Sequence, residues 1–190
     1  MARASGAALA RLLAIEPRES PLVAAAFGLF FALFAGYYLL RPVRETLGIA
    51  AGVANLQWLF TATFVATLLA LPAFGWVAGR LPRRHILPAV YGFFAANLLV
   101  FAGALHHVPD HVWLARAFYV WLSVFNLVAV SLAWSVLVDC FDRAQSRRLF
   151  GLAAAGASVG GLVGPLLAIG LVGRIGHAGL LVLAAFAMGV

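Results

Sequence analysis

The chain has 190 residues, of which 65% are hydrophobic and only 10% charged, with a mean hydropathy of +1.04. Soluble domains carry about 25% charged residues, so the composition excludes that class and points to a membrane protein. The net charge of +7 comes from 13 arginines and no lysine; they sit in small clusters between apolar runs, which argues against a nucleic-acid partner and for helix ends at anionic lipid.

Residues 1–20 hold Arg3, Arg11 and Arg18 around the short apolar run Ala7–Ile15. Glu16, Arg18 and Glu19 close that run before any cleavage site, so the segment reads as a surface amphipathic helix and not a signal peptide. Beyond it the charges mark the spans, because a crossing helix needs roughly 20 apolar residues. Spans are predicted at about 21–46, 57–77, 86–105, 117–138 and 149–172, within a transmembrane bundle covering 21–190. The apolar run 178–190 is too short to cross and reads as an incomplete sixth span, so a fragment of a longer protein is expected. The expected fold class is an all-α membrane protein with five complete spans.

Arginine asymmetry sets the expected orientation. Arg3, Arg11, Arg18, Arg80, Arg83, Arg84, Arg143, Arg147 and Arg148 fall on one side, against Arg41, Arg44, Arg116 and Arg174 on the other. The N-terminus is therefore expected in the cytoplasm, as in a bacterial inner-membrane protein. Trp58, Trp113 and Trp121 are read as an aromatic belt near the outer helix ends, and Trp76 near an inner one. Cys140 is the only cysteine, which excludes an internal disulfide and argues against a thiolate metal site.

Three stretches carry candidate chemistry. The first runs from Tyr37 and Tyr38 through Arg41, Pro42, Arg44 and Glu45 to Gly48 at the end of span 1. Charges there are costly unless they reach water, pair or face a cavity. A helix continuing past Pro42 would set Tyr37, Arg41, Arg44 and Glu45 on neighbouring turns, with Arg41 and Glu45 paired at i,i+4 and Arg44 left for an anion. The second stretch is Gly75, Gly79, Arg80, Pro82, Arg83 and Arg84 between spans 2 and 3. The third is Gly156, Gly160 and Gly164 followed by Pro165 in span 5, small residues at intervals of four that let membrane helices approach closely. Among polar residues within spans, Asn126 is the expected cavity-lining one.

On the second stretch the chain resembles the major facilitator superfamily, whose loop between spans 2 and 3 carries a glycine, a spaced aspartate and then basic residues. Gly75 and the arginines match; Gly79 stands where the aspartate would be. That aspartate helps latch the two halves of such a transporter, so Asp139 or Asp142 at the inner end of span 4 is expected to serve Arg80 or Arg83 instead. The segment from Gly160 to Pro165 is similar to the GxxxGP element of the superfamily's antiporters. The Tyr-Tyr-Leu-Leu-Arg-Pro-Val-Arg-Glu segment and the Arg147-Arg148-Leu-Phe-Gly entry to span 5 resemble bacterial ATP/ADP translocase-type carriers, which implies nucleotide contact at Arg44. The carriers usually have aspartate at position 42 and lysine at 44, where this chain has proline and arginine.

The resemblance implies the N-terminal half of a secondary transporter whose partners are a small anionic solute, the bilayer and a C-terminal half of the same protein. No cofactor, metal, nucleic acid or enzymatic activity is expected. Three other readings are weaker. Gly156-Ala-Ser158-Val-Gly160 fits the G-x-S-x-G of a serine hydrolase, but Ser158 sits mid-span, far from His177. His106, His107, Asp110 and His111 form a loop cluster broken by Pro109. A membrane scaffold would not need two arginines and a carboxylate at a cavity mouth.

Overall fold

The computed structural model describes residues 16–50, 52, 56–108 and 111–189, with backbone alone at Arg83, Arg84 and Gly189. The expected helix over residues 1–15, with Arg3 and Arg11, lies outside the described residues. Five long helices follow in order: α1 (Ser20–Ala50), α2 (Leu56–Arg80), α3 (Arg83–His107), α4 (Val112–Cys140) and α5 (Arg143–Gly189). All five are long and apolar enough to cross a membrane, and the described residues contain no strand. Lipid offers a backbone no hydrogen-bond partner, so helices that satisfy their own carbonyls are what such a composition permits.

Helix ends fall where charge or proline appears. Pro21 occupies the first turn of α1, where its missing N–H costs nothing. Asp142 closes the approach to α5 with a reciprocal cap: its Oδ1 accepts from the Gln145 N–H at 2.8 Å, and its own N–H donates to Gln145 Oε1 at 3.1 Å. His111 caps α4, its Nδ1 accepting from the Leu114 N–H at 3.3 Å. The helix α1 continues through Pro42 to Ala50, with Thr46 Oγ1 donating to the Pro42 carbonyl at 2.9 Å.

The helix α5 is broken once, at Gly176, where φ is 65° and ψ is −176°. The arm before the break runs parallel to α1, since Gly156 lies against Phe27 and Gly164 against Ala35 and Leu39. The arm after it returns, since Leu180 shares a cavity with Val43 while Met188 meets Gly36. One residue thus reverses the chain, in a region of backbone space that is essentially glycine's alone. Gly176→Ala is expected to lower stability by about 1–3 kcal/mol, measurable as a drop in the detergent-solubilised melting temperature; an unchanged melting temperature would contradict this account of the turn.

The core follows α1 and α4. Phe30, Leu33, Leu40 and Val43 of α1 and Phe118, Leu122, Phe125 and Ala129 of α4 are essentially inaccessible. Aromatic rings lock α3 onto α4: Phe94 meets Phe125 at 4.7 Å and Trp121 at 5.7 Å, and Phe101 meets Phe118 at 5.3 Å. Trp121 is therefore part of the bundle and not of an interface belt. Its position, more than two turns inside α4, is too deep for the headgroup level. Trp58, Trp76 and Trp113 remain exposed near helix ends. The helix α2 differs from the rest, with Leu59 as its one buried residue.

At the end where α1 and α5 begin, one carboxylate is buried. Glu19 is 6% exposed, and its Oε1 accepts from Arg148 Nη2 at 2.9 Å and Gln145 Nε2 at 3.1 Å. Its Oε2 accepts from the Glu16 N–H at 3.0 Å. This clamp ties the two helix starts together. The Glu16 N–H foremost, then Gln145 and Arg148, hold the Glu19 carboxyl below its ordinary value of 4.5 against the opposing effect of burial. A depressed carboxylate stabilises the fold above its unfolded pKa and stops doing so as pH falls through its folded one. The melting-temperature gap between wild type and Glu19→Gln is thus expected to be constant from neutral pH to about 4.5 and to close at lower pH. A gap independent of pH would refute the clamp.

Candidate functional site

The candidate residues of span 1 meet α4 in the half of the bundle away from Glu19. There α4 presents a polar stripe, Tyr119, Ser123 and Asn126, at helical spacing toward α1. Arg44 is docked on it. Its Nη1 donates to Ser123 Oγ and its Nη2 to Tyr119 Oη, both at 3.2 Å, and its guanidinium lies 4.4 Å from the Tyr119 ring centroid. Nη2 also pairs with Glu45 Oε1 at 2.9 Å. The Arg44 side chain is only 16% exposed against 47% for Glu45. Burial and a hydroxyl pair make this arginine a tie between helices.

The expected pairing of Arg41 with Glu45 does not form. Tyr119 and Ser123 take up Arg44, and Glu45 pairs with that guanidinium, which leaves Arg41 without it. Among the described residues no carboxylate pairs with Arg41, whose guanidinium stands 5.5 Å from the Tyr38 ring centroid. It opens onto a cavity of about 320 Å³ lined by Phe34, Tyr37, Tyr38, Asn126 and Ser131. Tyr37 and Asn126 thus share this cavity with Arg41, and Arg44 and Glu45 lie one turn beyond it. Asn126 makes no hydrogen bond among the described residues, so its amide can serve a ligand as donor or acceptor. Pro42 removes the N–H that would have bonded the Tyr38 carbonyl, adding an acceptor near the same wall.

The loop glycines and arginines are less engaged. A side chain at Gly75 or Gly79 would meet nothing within 4 Å. Arg80 stacks on Trp76 at 3.5 Å and forms no ion pair among the described residues. Asp142, one of the carboxylates expected to serve it, is committed to capping α5, whereas Asp139 has a partner of its own. The side chains of Arg83 and Arg84 lie outside the described residues.

The glycines of α5 face α1 backbone to backbone. A Cβ would fall 2.3 Å from the Phe27 carbonyl oxygen at Gly156, 2.5 Å from that of Phe31 at Gly160, and 2.6 Å from that of Ala35 at Gly164. Pro165 follows within the same continuous arm. Ser158 is exposed and its Oγ turns back to the Ala154 carbonyl of its own helix at 3.5 Å. Of the loop histidines, His111 is occupied as a cap, and Pro109 and Asp110 lie outside the described residues.

The profile of the Major Facilitator Superfamily matches residues 21–190, which is every span of the bundle. The chain belongs to the major facilitator superfamily. No curated protein and no solved structure matches it. Membership makes it a multi-pass membrane transporter. It also gives the α1–α4 cavity a context, since transporters place their binding sites among facing helices near the bilayer midplane. Sequence reasoning missed Tyr119, which a polar residue four before Ser123 and seven before Asn126 would have disclosed as one stripe. It also missed Glu19 as a structural residue, because nothing local announces a partner in α5.

Proposed function

We propose that this transporter carries a small anionic organic solute by alternating access, with Arg41 as the cation that meets it. The carrying observation is an arginine that no carboxylate among the described residues pairs with, opening onto a cavity inside an apolar bundle. An arginine at that depth is costly unless an anion or water accompanies it. Tyr37 and Asn126 line the same cavity and supply neutral hydrogen-bond groups that orient a ligand without adding charge. Arg44 holds α1 against α4 and shapes the cavity while Glu45 balances its charge.

In this reading a second six-helix bundle of the same protein completes the site, Gly75, Arg80 and Asp139 serve the contact between halves on the cytoplasmic side, and the N-terminus is cytoplasmic in a bacterial inner membrane. Exchange is the proposed mode, on the likeness of the Gly160–Pro165 segment to antiporter elements. A nucleotide is the narrower substrate proposal, favoured by Phe34 and Tyr38 beside Arg41: aromatic faces suit a base as the guanidinium suits a phosphate. Proteoliposomes preloaded with candidate anions and challenged with labelled ones provide the test. Counterflow specific to anions supports the proposal, transport restricted to cations or neutral solutes sinks it, and anion transport that excludes nucleotides removes only the narrower part.

A further inference from the structure

The cavity under Arg41 changes character along its length. The helices α1 and α4 run antiparallel past it: Arg44 meets Tyr119 and Ser123 beyond one end, and the Phe30 ring meets Trp134 at 4.7 Å beyond the other. On the α1 wall the Arg41 guanidinium stands 5.5 Å from the Tyr38 ring centroid. Tyr38 is in turn stacked with Phe34, their centroids 6.2 Å apart and their planes 25° from parallel. This wall is a cation followed by two rings. On the α4 wall Asn126 comes first, then Leu127 and Val130, then Ser131, about 7.5 Å of helix rise past Asn126. The antiparallel register sets Asn126 at the guanidinium end and Ser131 level with Phe34.

Charge therefore lies at one end. Among the described residues Arg41 is the sole charged one lining the cavity, and Ser131 brings a neutral hydroxyl to the far end, where it makes no hydrogen bond among the described residues. A solute with a second charge would leave that charge beside Phe34 and Val130 with no cation to meet it, at a high desolvation cost. A small inorganic anion would reach Arg41 but leave both rings and the hydroxyl without a partner. A flat ring with a polar edge matches both walls, since it stacks on aromatic faces and carries a hydrogen-bonding group beyond them. We propose that the solute is a two-ended organic anion, with its charge on Arg41 and Asn126, its ring along Tyr38 and Phe34, and an uncharged hydrogen-bonding substituent on Ser131. Ser131 then sets specificity. The assignment rests on the Arg41 cavity being the solute site and narrows anions in general to a class that aromatic carboxylates and nucleoside monophosphates share.

The test is equilibrium binding to the purified full-length protein with ligands in two pairs: 4-hydroxyphenylacetate against phenylacetate, and uridine 5′-monophosphate against ribose 5-phosphate. Wild type is expected to prefer the first member of at least one pair, and that pair names the source of the solute. Ser131→Ala is expected to cut the preference about 2–12-fold, the worth of one neutral hydrogen bond, and to leave the second member's affinity unchanged. The site is exposed and alanine is the strongest helix former, so this variant keeps the fold. Arg41→Gln is expected to weaken every ligand, and 4-carboxyphenylacetate, with its second charge, to bind wild type less tightly than phenylacetate. No preference within either pair, or one that Ser131→Ala leaves intact, overturns the two-ended solute; if Arg41→Gln still weakens binding, the anion site itself stands. Anion binding that is absent, or indifferent to Arg41→Gln, overturns the site and this proposal together.

Discussion

Leucine at position 160 is expected to prevent this bundle from assembling. Even the first atom of a side chain there would fall 2.5 Å from the Phe31 carbonyl oxygen and 2.8 Å from the Ala35 nitrogen. Both obstacles are backbone in the middle of α1, so no rotamer change relieves the clash. The helices must separate, and separation along the axis also loses the neighbouring contacts at Gly156 and Gly164. Overpacking of a well-filled interface costs about 1–3 kcal/mol for modest intrusions and more where backbone has to move. Within a bilayer there is no hydrophobic force to draw the helices back together. Gly160→Leu should therefore elute as an aggregate in size-exclusion chromatography, and Gly160→Ala should fold with a reduced melting temperature. Gly170, where a side chain would meet nothing within 4 Å, is the control. Alanine there should be neutral or stabilising by about 0.5–1 kcal/mol, through the lower conformational entropy of its unfolded chain. Equal melting temperatures for Gly160→Ala and wild type would show that α1 and α5 are not in backbone contact.

The second large effect is on transport. Arg41→Ala should abolish the anion's charged contact while leaving the fold intact, because Arg41 is exposed and joins no other helix. A charge-assisted hydrogen bond is worth about 1.5–3 kcal/mol, so kcat/KM should fall ~10–150-fold, chiefly through KM. Arg44→Ala should behave differently. It leaves the Tyr119 and Ser123 hydroxyls without their guanidinium partner and Glu45 without its counter-ion. The melting temperature should therefore fall along with transport. Lysine at 44 keeps the charge but not the fork that spans two hydroxyls, and should restore stability only in part. Wild-type transport by a properly folded Arg41→Ala protein would remove Arg41 from the site and return attention to Arg44.

The spans were readable from sequence because lipid excludes charge. Arg80, Arg83, Arg143 and the Asp139–Asp142 pair mark helix ends simply by being polar. The direction each helix faces was not readable, since a helix apolar nearly all round has no periodicity to point inward. Trp121 shows this. Its type suggests an interface anchor, yet Phe94, Phe101 and Phe118 surround it. Long-range polar pairs were equally hidden: Glu19 and Arg148 lie 129 positions apart. At the candidate site, spacing along one helix predicted Arg41 with Glu45, but the outcome was set by hydroxyls on a different helix. Local rules rank neighbours only when no tertiary partner competes, and Tyr119 competes. The glycine stripe was legible because close approach demands one residue type at one interval.

That stripe has a mechanical consequence. From Gly156 to Gly164 the first arm of α5 touches α1 over about 12 Å without an intervening layer of side chains. With the carbonyls of Phe27, Phe31 and Ala35 seated directly over the three glycines, a change of register would drive backbone against the flanking side chains, so the two helices are expected to move together. The Glu19–Arg148 clamp pins one end of that pair. A load applied at Arg41 is therefore expected to tilt α1 and this arm as a pair about the clamped end. Helix α2, which buries Leu59 alone, has the least packing to hold it and is expected to move most readily against that pair.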